Sequence, residues 1–398
     1  MNTAYIIDAV RTPVGKFGGS LATVRPDDLA AHVIKSIVQR NPDADYSKVE
    51  DVILGAANQA GEDNRNVARM AVLMAGLPIE VPGITVNRLC ASGLQSIGDA
   101  AKNLMVGYGD LYLAGGVESM TRAPFVMAKA ETAYDRRPVI YDTSIGWRFT
   151  NPKLATEYHP FAMGETAENV AERWKITREE QDQFAHNTQV KYDEAHKANR
   201  FKEELAPVEV PRRKMDPLVF DKDEHPRLSS LEKLASLRPA FRDGGTVTAG
   251  NSSGINDGAA MLLMASEKAV KDMNLKPIAR VVSSAASGVH PDIMGIGPVS
   301  ATNKALERAG LTIDQIDLIE LNEAFASQSI ACMRELDLDP AKVNVNGGSI
   351  AIGHPLGASG ARIATTLLHE MQKRDVRYGL ATMCVGVGQG KAVIFEKL

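Results

Sequence analysis

Two stretches of this sequence run to the same plan, and that repetition limits how the chain can fold more than any other feature. In the first half, DVILGAANQAGEDNRNVARMAVLMAGLP is followed by ITVNRLCASGLQSIGDAAKNLMVG. In the second, IDLIELNEAFASQSIACMRELDLDP is followed by VNVNGGSIAIGHPLGASGARIATTLLHEM. Each reads as a short β-branched run, a turn, a helical stretch ending at a proline, a second strand, a Gly/Ser-rich turn and a second helix. Ile53 matches Ile319 (319 − 53 = 266), and Pro78 matches Pro340 (340 − 78 = 262). The pattern predicts a duplicated α/β unit, and its alternating strands and helices predict mostly parallel sheets covered by helices.

Between the halves, from about Thr121 to Gly245, charged helices and long polar connections take over. Thr177 with Glu180 carries a capping-box signature, and Phe184, Thr188, Tyr192 and Ala195 fall near one face of the helix that follows. The stretch PRRKMDPLVFDKDEHPRLSS is turn-rich and charged. Ordered excursions of this length tend to be lids or binding loops, so 121–245 is expected to be a loop domain over the active site. Residues 1–120, completed by about 246–270, then form one core half, and 271–398 the other.

Composition removes several classes of function. A chain of 398 residues buries a core without disulfide staples, and a net charge of −4 offers polyanions such as nucleic acid no general attraction. No run of 18 apolar residues occurs, so no bilayer span is expected. The N-terminal MNTAYIIDAVRTPVGKF lacks the basic and apolar regions of a secretion signal, and the final EKL is not a peroxisomal SKL. Three cysteines, Cys90, Cys332 and Cys384, are an odd number without metal-like spacing; a reducing cytoplasmic location is expected, and no metal site.

Each cysteine then needs its own account. Cys90, in VNRLCASGLQS, follows a strand and opens a helix, where free N–H groups favour a thiolate and the Cys90 N–H is free to donate to an oxyanion. His354, in NGGSIAIGHPLGASG, occupies nearly the same place in the second copy, so the repeat can bring an imidazole to a thiol. Cys384 stands before Gly386, Gly388 and Gly390, three glycines at period two that leave one face open to a flat substrate. A second thiol near its ordinary pKa can give and take a proton at neutral pH. Asn322, in NEAF, either caps a helix or holds a water by its amide. Cys332 has apolar neighbours and no glycine turn, and reads as core.

Together the Cys90 segment, NEAF, GHPLGASG and CVGVGQG resemble the thiolase family, as do IIDAVRTPVGKFGG, GGVESMTRAP, MGETAENVA and GTVTAGNSSGINDGAA. The resemblance implies two βαβαβαββ core domains in an αβαβα layering, plus a loop domain. It implies CoA-dependent cleavage of a 3-ketoacyl-CoA, as in fatty acid β-oxidation, with coenzyme A as substrate and no metal or redox cofactor. Cys90 would accept the acyl group, His354 would be its base, and Cys384 would move the proton at the acetyl C2. One oxyanion hole would come from the N–H groups of Cys90 and Gly386, the other from His354 and a water held by Asn322. Ser253, Arg227, Met163 and Phe325 resemble positions that contact coenzyme A or substrate. A homotetramer built as a dimer of dimers, or else a homodimer, is implied. The segment VMAKAETAYDRRPVIYDTSIGWRF resembles degradative members, including those acting on 3-oxoadipyl-CoA. Ala162 stands where some biosynthetic acetyl-CoA C-acetyltransferases have a histidine. Ketoacyl synthases share the fold but lack the second cysteine motif, and a scaffold that only binds acyl-CoA would not need the Cys90, His354 and Cys384 set.

Overall fold

A computed structural model describes residues 2–398. The chain begins with β1 (Ala4–Arg11), α1 (Pro26–Arg40), β2 (Val49–Gly55), α2 (Val67–Ala75), β3 (Gly83–Val86), α3 (Ser92–Val106) and β4 (Leu111–Ser119). The excursion contributes α4 (Met163–Arg173) and α5 (Arg178–Lys197), and β5 (Asn256–Ser266) returns to the core. The second copy follows as β6 (Ala279–Gly288), α6 (Gly297–Ala309), β7 (Leu318–Leu321), α7 (Ala326–Glu335), α8 (Leu356–Arg374), β8 (Tyr378–Val385) and β9 (Gln389–Lys397).

The strands form one sheet in the order β7-β8-β9-β6-β1-β5-β4-β2-β3. The two copies join at β1 and β6, where only Tyr5↔Arg280 and Ile6↔Ala279 pair. Within each copy the order is the same. β3, β2 and β4 run parallel while β5 is antiparallel to both β4 and β1; β7 and β8 run parallel while β9 is antiparallel to both β8 and β6. A bridge from Ile319 to Val343 stands in for the missing counterpart of β3. The expectation of mostly parallel sheets is therefore corrected to mixed ones. The last strand of each copy returns between the first and the fourth, and local alternation of strands and helices carries no trace of that insertion.

Burial explains the layering. Along β5, Met261 and Leu263 join Leu29, Ile34 and Val72 on one face, while Leu262 and Met264 join Leu94 and Ile97 on the other. Along β9, Val393 and Phe395 face Leu367 and Met371, while Ile394 faces Ala305 and Cys332. Strands buried on both sides need a helix layer on each, so α3 and α8 lie in the middle with α1/α2 and α6/α7 outside. This is the αβαβα order. Each large aliphatic side chain buried this way contributes about 1.5–3 kcal/mol. Cys332 is core, as expected, its thiol donating to the Gly295 carbonyl at 3.3 Å.

In the excursion, the capping box at α5 forms as expected: Thr177 Oγ1 accepts from the Glu180 N–H at 3.2 Å, and Glu180 accepts from the Thr177 N–H at 2.8 Å. Thr188, Tyr192 and Ala195 are buried on its inner face, with Phe184 half-buried. Among the described residues no helix is long and apolar enough to cross a membrane.

Candidate active site

α3 and α8 approach each other through glycine. A Cβ on Gly93 would lie 2.7 Å from the Ala361 nitrogen, and one on Gly360 would lie 2.2 Å from the Leu94 nitrogen. Only glycine permits that approach, and it brings the two helix N-termini, with the turns before them, to one place. Cys90 lies two residues before the start of α3, and His354 two residues before the start of α8.

Both turns are forced. Leu89, just before Cys90, has φ of 46°, a conformation costing a non-glycine residue about 1–3 kcal/mol. It is held there by its N–H donating to Asn87 Oδ1 at 2.8 Å and its carbonyl accepting from Ser92 Oγ at 2.6 Å. Gly353, just before His354, has φ of 114°, and a Cβ there would strike Asn256 and Val14 at 2.7 Å. Asn256 Oδ1 accepts the His354 N–H at 2.9 Å and completes that turn.

The proton positions on His354 follow from its neighbours. Ser359 Oγ donates to the Pro355 carbonyl at 2.9 Å and lies 2.6 Å from His354 Nδ1. Its one hydrogen is thus committed, so Nδ1 is the donor and Nε2 carries the lone pair. Nε2 is buried without a protein partner. Burial first, and the Arg362 charge second, lower the imidazole to about 3, so it is neutral at working pH.

The third stretch is the β8–β9 hairpin. Cys384 pairs with Gly390, and Gly386, Val387 and Gly388 make the turn, Val387 at φ of 62°. A β-branched residue in that region is strained. The Gly386 N–H and the N–H of Cys90 itself both favour charge on the Cys90 sulfur. Burial outweighs them, and the thiol is pushed up to about 11. The N–H groups at the helix start favour the thiolate as expected, but loss of water costs the charged form more than they return. Cys384 rises well above its ordinary value through burial and through the neighbouring Cys90. The site thus holds two thiols and a neutral imidazole.

A cavity of about 440 Å³ opens onto Cys90, with Gly386, Met163, Leu356, Asn58 and Arg148 in its wall. Cys384 and Phe325 lie behind Met163 in an apolar cluster with Met294 and Ala324. Asn322 is buried, its Oδ1 accepting from Ser349 Oγ at 2.6 Å, and Ser349 in turn accepts from Arg362 at 2.6 Å. That orientation leaves Asn322 Nδ2 buried with no protein partner, a donor suited to a water. Ser253 and Arg227 are not in the cavity wall. The Ser253 N–H donates to the Ala324 carbonyl at 3.0 Å, next to Phe325, while the exposed Arg227 donates to the Ala249 carbonyl at 2.5 Å.

Some residues of this site escape a reading of the sequence. Glu118 ties three elements together, accepting N–H groups from Ala57 at 2.9 Å, Asn58 at 3.2 Å and Gly357 at 2.7 Å. Burial raises its carboxyl to about 7 even so. Ser359 had a usable signal, one turn into the helix after His354. Glu118 had only its place at the end of a buried strand.

The chain matches the thiolase N-terminal domain over residues 4–268 and the thiolase C-terminal domain over 275–397. It is 56% identical to a beta-ketoadipyl-CoA thiolase of Pseudomonas aeruginosa, covering 99% of each chain. It is 54% identical to another of Acinetobacter baylyi, covering 100% of each. Among solved structures, an acetyl-CoA acetyltransferase of Bacillus anthracis superposes with a TM-score of 0.94 at 42% identity, over 100% of this chain and 99% of that one. Human mitochondrial 3-ketoacyl-CoA thiolase in complex with CoA superposes with a TM-score of 0.93 at 41% identity, over 100% and 98%. Cys90 falls in the first matched domain and His354 and Cys384 in the second; this chain belongs to the thiolase family, acyltransferases that use coenzyme A to cut a 3-ketoacyl-CoA into acetyl-CoA and a shortened acyl-CoA.

Proposed function

We propose that this thiolase acts on 3-oxoadipyl-CoA, releasing acetyl-CoA and succinyl-CoA. Relatives above half identity carry that substrate in their names, which narrows the broader fatty-acid expectation to a dicarboxylic acyl chain. His354 Nε2 takes the Cys90 proton as the sulfur attacks C3; the ketone becomes an alkoxide facing the N–H groups of Cys90 and Gly386, while the imidazolium and the water on Asn322 face the thioester oxygen that takes up the enolate charge. Collapse of the alkoxide breaks the C2–C3 bond. The electron pair goes to an acetyl-CoA enolate, which the Cys384 thiol protonates at C2, leaving a succinyl thioester on Cys90. The imidazolium returns its proton to the Cys384 thiolate, which restores both groups. His354 Nε2 then takes the thiol proton of free coenzyme A, whose sulfur attacks the thioester; the second oxyanion faces the N–H groups of Cys90 and Gly386, and Cys90 departs as a thiolate that the imidazolium reprotonates. Side chains, backbone N–H groups and one water account for every proton and charge in this sequence of steps, so no metal or redox cofactor is invoked.

The observation that carries this reading is that Cys90 and Gly386 line one cavity, which sets the nucleophile beside the hairpin that bears Cys384. A homotetramer in the cytoplasm, with 121–245 as a loop domain over the site, belongs to the same proposal. The test is a panel of acetoacetyl-, 3-oxohexanoyl- and 3-oxoadipyl-CoA with coenzyme A, following loss of substrate. The highest kcat/KM is expected for 3-oxoadipyl-CoA; preference for acetoacetyl-CoA would favour the acetyl-CoA acetyltransferase reading instead.

A further inference from the structure

We propose that Arg148 is the specificity residue of this site, its guanidinium binding the far carboxylate of a dicarboxylic 3-oxoacyl-CoA. The inference rests on the substrate reading above and adds the group that would enforce it. Arg148 stands half-buried in the wall of the Cys90 cavity. Its one hydrogen bond to protein is from a terminal nitrogen to Asn58 Oδ1 at 2.9 Å, and among the described residues it makes no ion pair.

Asn58 is itself fixed. Its Nδ2 donates to Thr143 Oγ1 at 3.2 Å, Thr143 donates to the Pro124 carbonyl at 2.6 Å, and the Asn58 N–H donates to Glu118. A neutral amide therefore aims the guanidinium without neutralising it. The other charged group in the wall, Glu118, spends both oxygens on backbone N–H groups and does not compete. Much of the remaining wall is apolar, including Leu89, Met120, Ile145 and Trp147. A cation with its charge unpaired in such a cavity is costly unless an anion arrives. An arginine fork suits a carboxylate, which it holds through two parallel hydrogen bonds.

Geometry of the substrate points the same way. Cys90 attacks C3 of 3-oxoadipyl-CoA, and the terminal carboxylate lies only three bonds beyond it. That anion must come to rest in the same cavity as the sulfur rather than in open water. The CoA phosphates are a second source of anion, and a matched pair of substrates separates the two. 3-Oxoadipyl-CoA and 3-oxohexanoyl-CoA share chain length and coenzyme A and differ in carboxylate against methyl.

The quantity to measure is the ratio of kcat/KM on 3-oxoadipyl-CoA to that on 3-oxohexanoyl-CoA. Arg148→Met is expected to lower the ratio at least about 10-fold, less than for a fully buried charged pair because Arg148 is half-buried. Arg148→Lys, which keeps the charge but loses the fork, is expected to fall between Met and the parent enzyme. An Arg148→Met enzyme that keeps the parent ratio overturns the proposal, including the case where both substrates decline equally through lost phosphate contacts or lost folding. A parent enzyme without preference for 3-oxoadipyl-CoA would instead sink the substrate reading first, so the two failures are told apart.

Discussion

The Cys90 turn and the His354 turn are built alike and, on the proposed mechanism, do opposite work. Each joins the core to a central helix, each has its reactive residue two positions before that helix, and each is preceded by a residue at positive φ. They differ in what surrounds the reactive atom. The Gly386 and Cys90 N–H groups favour charge on the Cys90 sulfur, whereas a serine hydroxyl behind His354 fixes its tautomer and leaves Nε2 unpartnered. Duplication supplied the place, and on the proposed mechanism a few local hydrogen bonds supply the division into nucleophile and base. They differ also in strain. The second turn uses glycine, while the first places a leucine where glycine would be easier, and the surrounding bonds of Asn87 and Ser92 hold it.

Removing the nucleophile breaks the comparison most severely. Cys90→Ala is expected to lower kcat by at least about 10⁴-fold with little change in fold, measured as turnover beside circular dichroism. Cys384→Ala is expected to lose carbon–carbon cleavage by roughly 10²–10⁴-fold, yet still take an acyl group onto Cys90 from an activated thioester. Normal cleavage by that variant would remove Cys384 from the proton chemistry.

Access, more than acidity, should separate the free thiols. Cys90 and Cys332 are pushed up to about 11 and about 12, but only Cys90 opens onto the cavity. Iodoacetamide is expected to alkylate Cys90 roughly 100-fold faster than Cys332. Because burial raises the Cys90 pKa, its thiolate fraction is small at pH 7 and grows about tenfold per pH unit toward 11. The alkylation rate should climb through pH 9 without levelling; a plateau at pH 7–8 would mean a resting thiolate after all.

Smaller changes test the second turn and the hairpin. Ser359→Ala frees Nδ1 from its acceptor, and kcat is expected to fall about tenfold with an altered pH profile, since general-base catalysis depends on the tautomer. An unchanged profile would reduce Ser359 to packing. Val387→Gly relieves the φ of 62° at the hairpin tip and is expected to raise stability by about 1 kcal/mol, read as a higher Tm.

Much of this could be read before any coordinates. The repeat, the two turns and the capping box at Thr177 are local patterns, and local patterns survive in sequence because each depends on residues a few positions apart. Strand insertion did not, because β5 pairs with β1 across a separation that no period encodes. The acidity of Cys90 is hidden from sequence for a related reason: a helix start is visible there, but the burial that opposes it is assembled from distant elements. Arg148 and Glu118 stayed hidden because their meaning lies in partners from other segments, Asn58 for one and Gly357 for the other.

The central claim is that the acyl group passes through Cys90. Quenching the enzyme during turnover of 3-oxoadipyl-CoA at limiting coenzyme A, then digesting it for mass spectrometry, tests this directly. The account predicts a succinyl thioester on the peptide containing Cys90, lost when coenzyme A is added. An adduct on Cys384 or Cys332 in its place, or full turnover with Cys90 never modified, would contradict it.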